Sequence, residues 1–210
     1  MERETQVRVR SNGLLPRPHV YYLEMIVGPM FSGKSEELIR RVRRALIAEQ
    51  QVQVFYPAQD TRANTGSISS RNGMTVLAEQ MGRIADCRER LVALPHLPDV
   101  VAFDEAQFFD AELGPLIEEL IGGGVRVIAA ALDLDFAGRP FGTVIPQLLA
   151  IADRVDKLTA VCAVCGSEAA VRSQRLVDGR PATKDSPLVL VGDSAEGYEA
   201  RCLRCYEPPR

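Results

Sequence analysis

Residues 21–27, YYLEMIV, form a short, nearly continuous apolar run, and residues 32–48 then repeat Leu38, Val42, Ala45 and Leu46 at helical spacing. The first stretch predicts a buried strand and the second the helix that follows it. VQVFYP at 52–57 predicts a second strand ended by proline, while 61–73 is polar, glycine-containing and irregular. Helical spacing resumes over 84–94 and stops at Pro95 and Pro98. DVVAFDEAQFF at 99–109 then reads as an apolar strand with Asp104 and Glu105 at its end. A helix over 111–121 is closed by Gly122, Gly123 and Gly124, and VRVIAAALD at 125–133 predicts the next strand. Strands alternating with helices imply an α/β fold, a parallel sheet covered by helices on both faces.

After Ile151 the pattern changes. Short strand-like runs at 157–161, 169–175 and 188–191 replace the alternation, and a pair of cysteines lies at each end of this region. The shifts predict a disordered leader over 1–19, an α/β nucleotide-binding domain over 20–155 and a small domain over 156–210. The leader carries Arg3, Arg8, Arg10 and Arg17 among Ser11, Asn12, Gly13 and two prolines, with no apolar stretch behind the charges, so it does not read as a secretory signal.

Composition sets limits on function. With 210 residues, 46% of them hydrophobic and 25% charged, the chain resembles an ordinary globular protein. No run approaches the roughly 18 apolar residues of a membrane span. A net charge of −3 gives no electrostatic basis for tight nucleic-acid binding, and the cluster Arg40, Arg41, Arg43 and Arg44 reads as a solvated helix face.

The junction between the first strand and helix carries the chemistry. Gly28, Pro29, Met30, Phe31, Ser32, Gly33, Lys34 and Ser35 fit G-x-x-x-x-G-K-S/T, the phosphate-binding loop, with the strand before and the helix after that the motif requires. Loop amides and the helix N-terminus would cradle phosphates, Lys34 would reach the β and γ oxygens, and the Ser35 hydroxyl would bind Mg²⁺. Asp104, ending a neighbouring strand, has the position of the metal-side carboxylate. For Glu105 the residues alone leave two readings open, a charge at a helix start or a general base.

Cys162 and Cys165, and Cys202 and Cys205, are two C-x2-C pairs. Together they make a four-thiolate zinc site, structural because no coordination position is left for water, and the metal would staple the base of the long segment between them. The fifth cysteine, Cys87, lies on an apolar helix face and reads as core.

With these pieces in order the sequence resembles the type II thymidine kinases, the cytosolic, zinc-containing class, from about residue 24 to 206. The resemblance is carried by GPMFSGKS at 28–35, DTR at 60–62, FDEAQFF at 103–109, AALDLDFAGRPFG at 130–142, KLTAVCAVC at 157–165 and YEARCLRCY at 198–206. It implies phosphorylation of the 5′-hydroxyl of thymidine, with deoxyuridine a further substrate, by ATP and Mg²⁺ in nucleotide salvage, with Glu105 as the base. It places Asp60, Thr61, Arg62 and Gln107 with the phosphate loop and Asp104 on the nucleotide side, and Met30, Phe108 and Phe136 at the nucleoside. It also implies a lid between the cysteine pairs that reads the base through Leu188, Val189, Leu190, Val191 and Gly192, with Tyr198 beyond. Asp193 stands where relatives usually have a second glycine, and 67–73 lacks the histidine common there. A cytoplasmic location, a homotetramer and feedback by thymidine triphosphate follow from the same resemblance. The competing reading from the residues is a zinc-ribbon phosphate-loop ATPase acting on nucleic acid. It would call for a basic, aromatic-rich zinc module, whereas 162–205 has mixed charges and one aromatic, Tyr198. The first reading therefore expects neither nucleic acid nor a membrane as a partner.

Overall fold

The computed structural model describes residues 22–59, 66–69, 73–186 and 197–209. The leader, Asp60, Thr61, Arg62 and the lid positions 188–192 lie outside the described residues. Six strands form the central sheet: β1 (Leu23–Val27), β2 (Val52–Pro57), β5 (Glu79–Met81), β6 (Val100–Phe103), β7 (Arg126–Ala131) and β8 (Arg154–Lys157). Their order is β5-β2-β6-β7-β1-β8, and every pairing is parallel. The α/β expectation is met.

Alternation along each strand divides the core in two. Leu23, Met25 and Val27 of β1, Val101 and Phe103 of β6, and Val127, Ala129 and Ala131 of β7 face one side. There they meet α2 (Ile84–Val92), α3 (Leu113–Gly122) and α4 (Val144–Ile151) through Ile84, Cys87, Leu113, Ile117, Ile145 and Leu148. Ile26, Val54, Tyr56, Ala102, Ile128 and Ala130 face the other side, against Leu38, Ile39, Val42 and Ala45 of α1 (Lys34–Ile47). Because both faces are covered, the strands are apolar at nearly every position, which is why they read as runs. Each fully buried aliphatic or aromatic side chain contributes about 1.5–3 kcal/mol.

Period-two alternation also directs Glu24, between Leu23 and Met25, onto the α1 face, where it is 3% exposed. Arg41 of α1 meets it at 2.6 Å and also pairs with Asp156 at 2.5 Å and Glu37 at 2.8 Å. Arg126 closes on the second Glu24 oxygen at 2.5 Å. The arginine cluster is thus not a uniformly solvated face. Arg40, Arg43 and Arg44 are exposed, but Arg41 is buried, because one turn of α1 rotates it onto the sheet, where a buried carboxylate awaits it.

Other departures are local. In the stretch expected to be irregular, β3 (Ser67–Ser69) forms and pairs antiparallel with β4 (Thr75–Leu77) just beyond it, and Ile68 and Val76 cover the α1 face of the core. The strand expected over 157–161 starts earlier, at Arg154, and is the outer strand of the parallel sheet. Beyond it, β9 (Arg172–Val177) is flanked by β10 (Arg180–Pro181) and β11 (Tyr198–Arg201) in a small antiparallel sheet. Among the described residues no helix is long and apolar enough to cross a membrane.

Candidate active site

The phosphate loop leaves β1 at its C-terminal end and enters α1 at Lys34. Gly28 has φ 147° and Gly33 φ 83°, both in the region that favours glycine, and Phe31 between them is also left-handed at φ 68°. At Gly28 sterics add to conformation: a Cβ there would lie 2.5 Å from the Leu158 carbonyl oxygen and 3.0 Å from Ser32 Oγ. The loop is laced internally. Ser32 Oγ and Lys34 Nζ both donate to the Pro29 carbonyl, at 2.8 and 2.9 Å, which folds the lysine back over the loop. Under this end of β1, Lys157 on one neighbouring strand pairs at 2.7 Å with Asp133, just past the end of the other.

Asp104 and Glu105 follow the end of β6. The Asp104 amide donates to the Phe55 carbonyl on β2 at 2.9 Å, continuing the ladder one residue past the strand. Asp104 Oδ1 then accepts from Ser35 Oγ at 3.2 Å and from the Glu105 amide at 3.0 Å. Ser35 and Asp104 therefore bring two oxygen ligands together beside the phosphate loop, a donor set that suits Mg²⁺. Glu105 is 8% exposed and sits in the left-handed region at φ 46° and ψ 42°. A non-glycine residue held there costs about 1–3 kcal/mol, and such strain gathers at functional sites. The Glu105 carboxylate accepts from Gln107 Nε2 at 2.5 Å, and the Gln107 side-chain oxygen accepts from the Leu132 amide at 2.9 Å. Gln107 thereby ties the carboxylate to the end of β7.

Met30, Phe108 and Phe136 are the apolar side chains expected at the nucleoside. Phe136 is 7% exposed, with the Arg175 guanidinium 5.4 Å from its ring centre. Phe108 meets Phe141 edge to face at 6.0 Å. The Met30 amide donates to Ser173 Oγ on β9 at 2.9 Å, so the small antiparallel sheet grips the phosphate loop. Tyr198, on β11, is partly buried, and that burial raises its phenol above the usual range, with nearby Arg175 acting in the opposite sense. Ser173, Arg175 and Phe141 join the predicted set here. Phe141 lay inside the quoted 130–142 stretch, but Ser173 and Arg175 carry no local motif, since only the packing of β9 against the loop makes them neighbours.

The four cysteine sulfurs lie within 4.8 Å of one another, and those of Cys165 and Cys202 are 3.7 Å apart. Tetrahedral Zn–S bonds of about 2.3 Å place sulfurs about 3.8 Å apart, so the cluster fits zinc. The Cys202 backbone amide, with other amides of the cluster, draws the Cys162 thiol down to about 6, whereas hydrogen bonding to Cys165, with burial, pushes Cys205 up to about 12. Metal binding to such a cluster releases the thiol protons. Cys87, 0% exposed, is pushed up to about 12 by burial, as suits an inert core thiol.

Comparison with known proteins matches the sequence to a family. The family model described as thymidine kinase matches residues 21–206. The chain is 56% identical over 188 residues to a thymidine kinase of Deinococcus deserti, covering 86% of this chain and 92% of that one. It is 52% identical over 186 residues to a thymidine kinase of Deinococcus radiodurans, covering 85% and 86%. Among solved structures, the cytoplasmic domain of the Thermomonospora curvata type VII secretion ATPase EccC gives a TM-score of 0.42 at 12% identity, over 86% of this chain and 23% of that one, and carries no functional argument. A phosphate loop facing a strand-end Asp-Glu pair, a four-cysteine cluster and a match spanning both place this chain in the thymidine kinase family.

Proposed function

We propose that this chain transfers the γ-phosphoryl group of ATP to the 5′-hydroxyl of thymidine, with Glu105 as the general base. The observation that carries the reading is the chain of contacts Ser35–Asp104–Glu105–Gln107, which fixes a second carboxylate one residue from the metal-side one. Lys34 and the loop amides bind the phosphates. Ser35 and Asp104 would hold Mg²⁺, which neutralises phosphate charge when bound. Glu105 takes the hydroxyl proton as the 5′-oxygen bonds to the γ-phosphorus, the bond from that phosphorus to the β–γ bridging oxygen breaks, and ADP leaves. Gln107 holds the carboxylate for this step, and the strained backbone keeps it from turning away.

Phe136, Phe108 and Met30 would supply the apolar wall for the base, and Leu188 to Gly192, which lie outside the described residues, would with Tyr198 form the lid over it. The four cysteines would hold zinc at the lid's base, lowering the entropy cost of ordering it. The test is product formation from ATP·Mg²⁺ across the nucleosides. Thymidine should be converted, with deoxyuridine weaker by about 1–3 kcal/mol, or roughly 5- to 150-fold, for one missing methyl. Absence of thymidine monophosphate from the wild-type reaction would sink the proposal.

A further inference from the structure

Tyr206 follows Cys205 directly, and its amide donates to the Cys202 carbonyl at 2.9 Å inside the turn that presents both thiols. Its side chain leaves that turn and reaches the α/β domain, where the hydroxyl donates to the Phe136 carbonyl at 2.7 Å. The segment that receives it is already closed upon itself. The Asp135 amide donates to the Arg139 carbonyl at 2.8 Å, and the Gly138 amide to the Asp135 carbonyl at 3.0 Å. Asp135 Oδ1 accepts from the amides of Ala137 and Arg139 at 2.8 and 2.9 Å.

These local bonds fix the shape of the turn, but they do not fix its tilt against the small domain. The tilt is held from outside. The Arg172 guanidinium stacks 5.9 Å from the Tyr206 ring centre, and Arg175 lies over Phe136. The fit is close at Gly138, where a Cβ would come 3.3 Å from Arg172 Nε and 3.5 Å from Tyr206 Oη. A tyrosine hydroxyl is a hydrogen-bond donor at neutral pH, as this contact requires.

We infer that Tyr206 is a positioning residue for the nucleoside site: its hydroxyl sets the placement of Phe136 and links the cysteine cluster to the base-packing wall through one hydrogen bond. The inference rests on the reading above that Phe136 packs on the base. A direct link of this kind explains why the last cysteine is followed at once by a residue facing the other domain.

The experiment measures thymidine affinity by calorimetry, together with kcat, the KM for ATP and zinc content, on zinc-loaded wild type, Tyr206→Phe, Phe136→Ala and the double variant. Loss of one neutral hydrogen bond should weaken thymidine binding about 3- to 10-fold in Tyr206→Phe. The KM for ATP and zinc content should stay at wild-type values, and Tyr206→Phe should add nothing in the Phe136→Ala background. If Tyr206→Phe binds thymidine normally while Phe136→Ala does not, the link is wrong and the site reading stands. If Phe136→Ala itself binds normally, the assignment of Phe136 to the base is wrong and the link falls with it. Additive effects, or zinc loss in Tyr206→Phe, would make Tyr206 a structural residue only and overturn the inference.

Discussion

Arg41→Met removes the charge at the centre of the α1–sheet contact while keeping most of the side-chain volume. Arg41 is 4% exposed and Glu24 3%, so the variant leaves a carboxylate in the core with Arg126 as its remaining partner among the pairs described. Breaking a buried ion pair from one side costs about 3–5 kcal/mol. Because Arg126 still holds one Glu24 oxygen at 2.5 Å, the expected loss lies at the low end, about 3 kcal/mol. Urea unfolding at neutral pH and fixed protein concentration measures it, with an unchanged m-value showing that the folded state is intact. Replacing Glu24 by Met in the same chain should bring stability back to within about 1 kcal/mol of wild type, since the penalty is the unpaired charge rather than the lost attraction. Acid sharpens the test. The Arg40 guanidinium holds Glu37 below the usual carboxylate range against the opposing effect of burial, and Arg154 with Arg41 does the same for Asp156. Depressed carboxylates contribute stability above their unfolded values, and it is lost as pH falls through the folded ones. Wild type should therefore weaken below about pH 4, and Arg41→Met less steeply. An Arg41→Met loss under about 1 kcal/mol, or a double variant as unstable as the sum of its parts, would refute the reasoning.

Gly28→Ala should distort the phosphate loop, because its Cβ would sit 2.5 Å from the Leu158 carbonyl in a backbone region side chains rarely adopt. The strain of about 1–3 kcal/mol should appear as roughly 5- to 150-fold weaker ATP binding in a nucleotide titration, and unchanged affinity would contradict the loop assignment. Cys162→Ser should lower zinc from about one ion per chain to none by elemental analysis and raise the KM for thymidine more than that for ATP. Full zinc retention would mean that the four sulfurs are not its ligands.

The α/β core was legible in sequence because each buried strand is a short apolar run and each helix repeats every three to four residues, as Leu38, Val42 and Ala45 show. The phosphate loop and the cysteine pairs were legible for a related reason: their chemistry depends on residues close together in the chain. Arg41 was misread because periodicity marks apolar faces, and nothing local shows that a charged residue on such a face meets Glu24 from another element. Short β3 and β4 lacked enough residues to show an alternation. Ser173, Arg175 and Tyr206 meet Met30 of the phosphate loop and Phe136 only through tertiary packing, which has no sequence period. The two roles open to Glu105 could not be separated by residue type; its held carboxylate and strained backbone are features of the folded chain.

In the proposed reaction Glu105 takes the proton while its neighbours hold the nucleotide. Single-turnover phosphoryl transfer from ATP·Mg²⁺ to thymidine, compared between wild type and Glu105→Gln under saturating substrates, tests it most directly. The variant should transfer about 100-fold or more slowly, the usual range for loss of a general base, with ATP and thymidine affinities close to wild type. Near-full turnover with Gln at 105 would contradict the account.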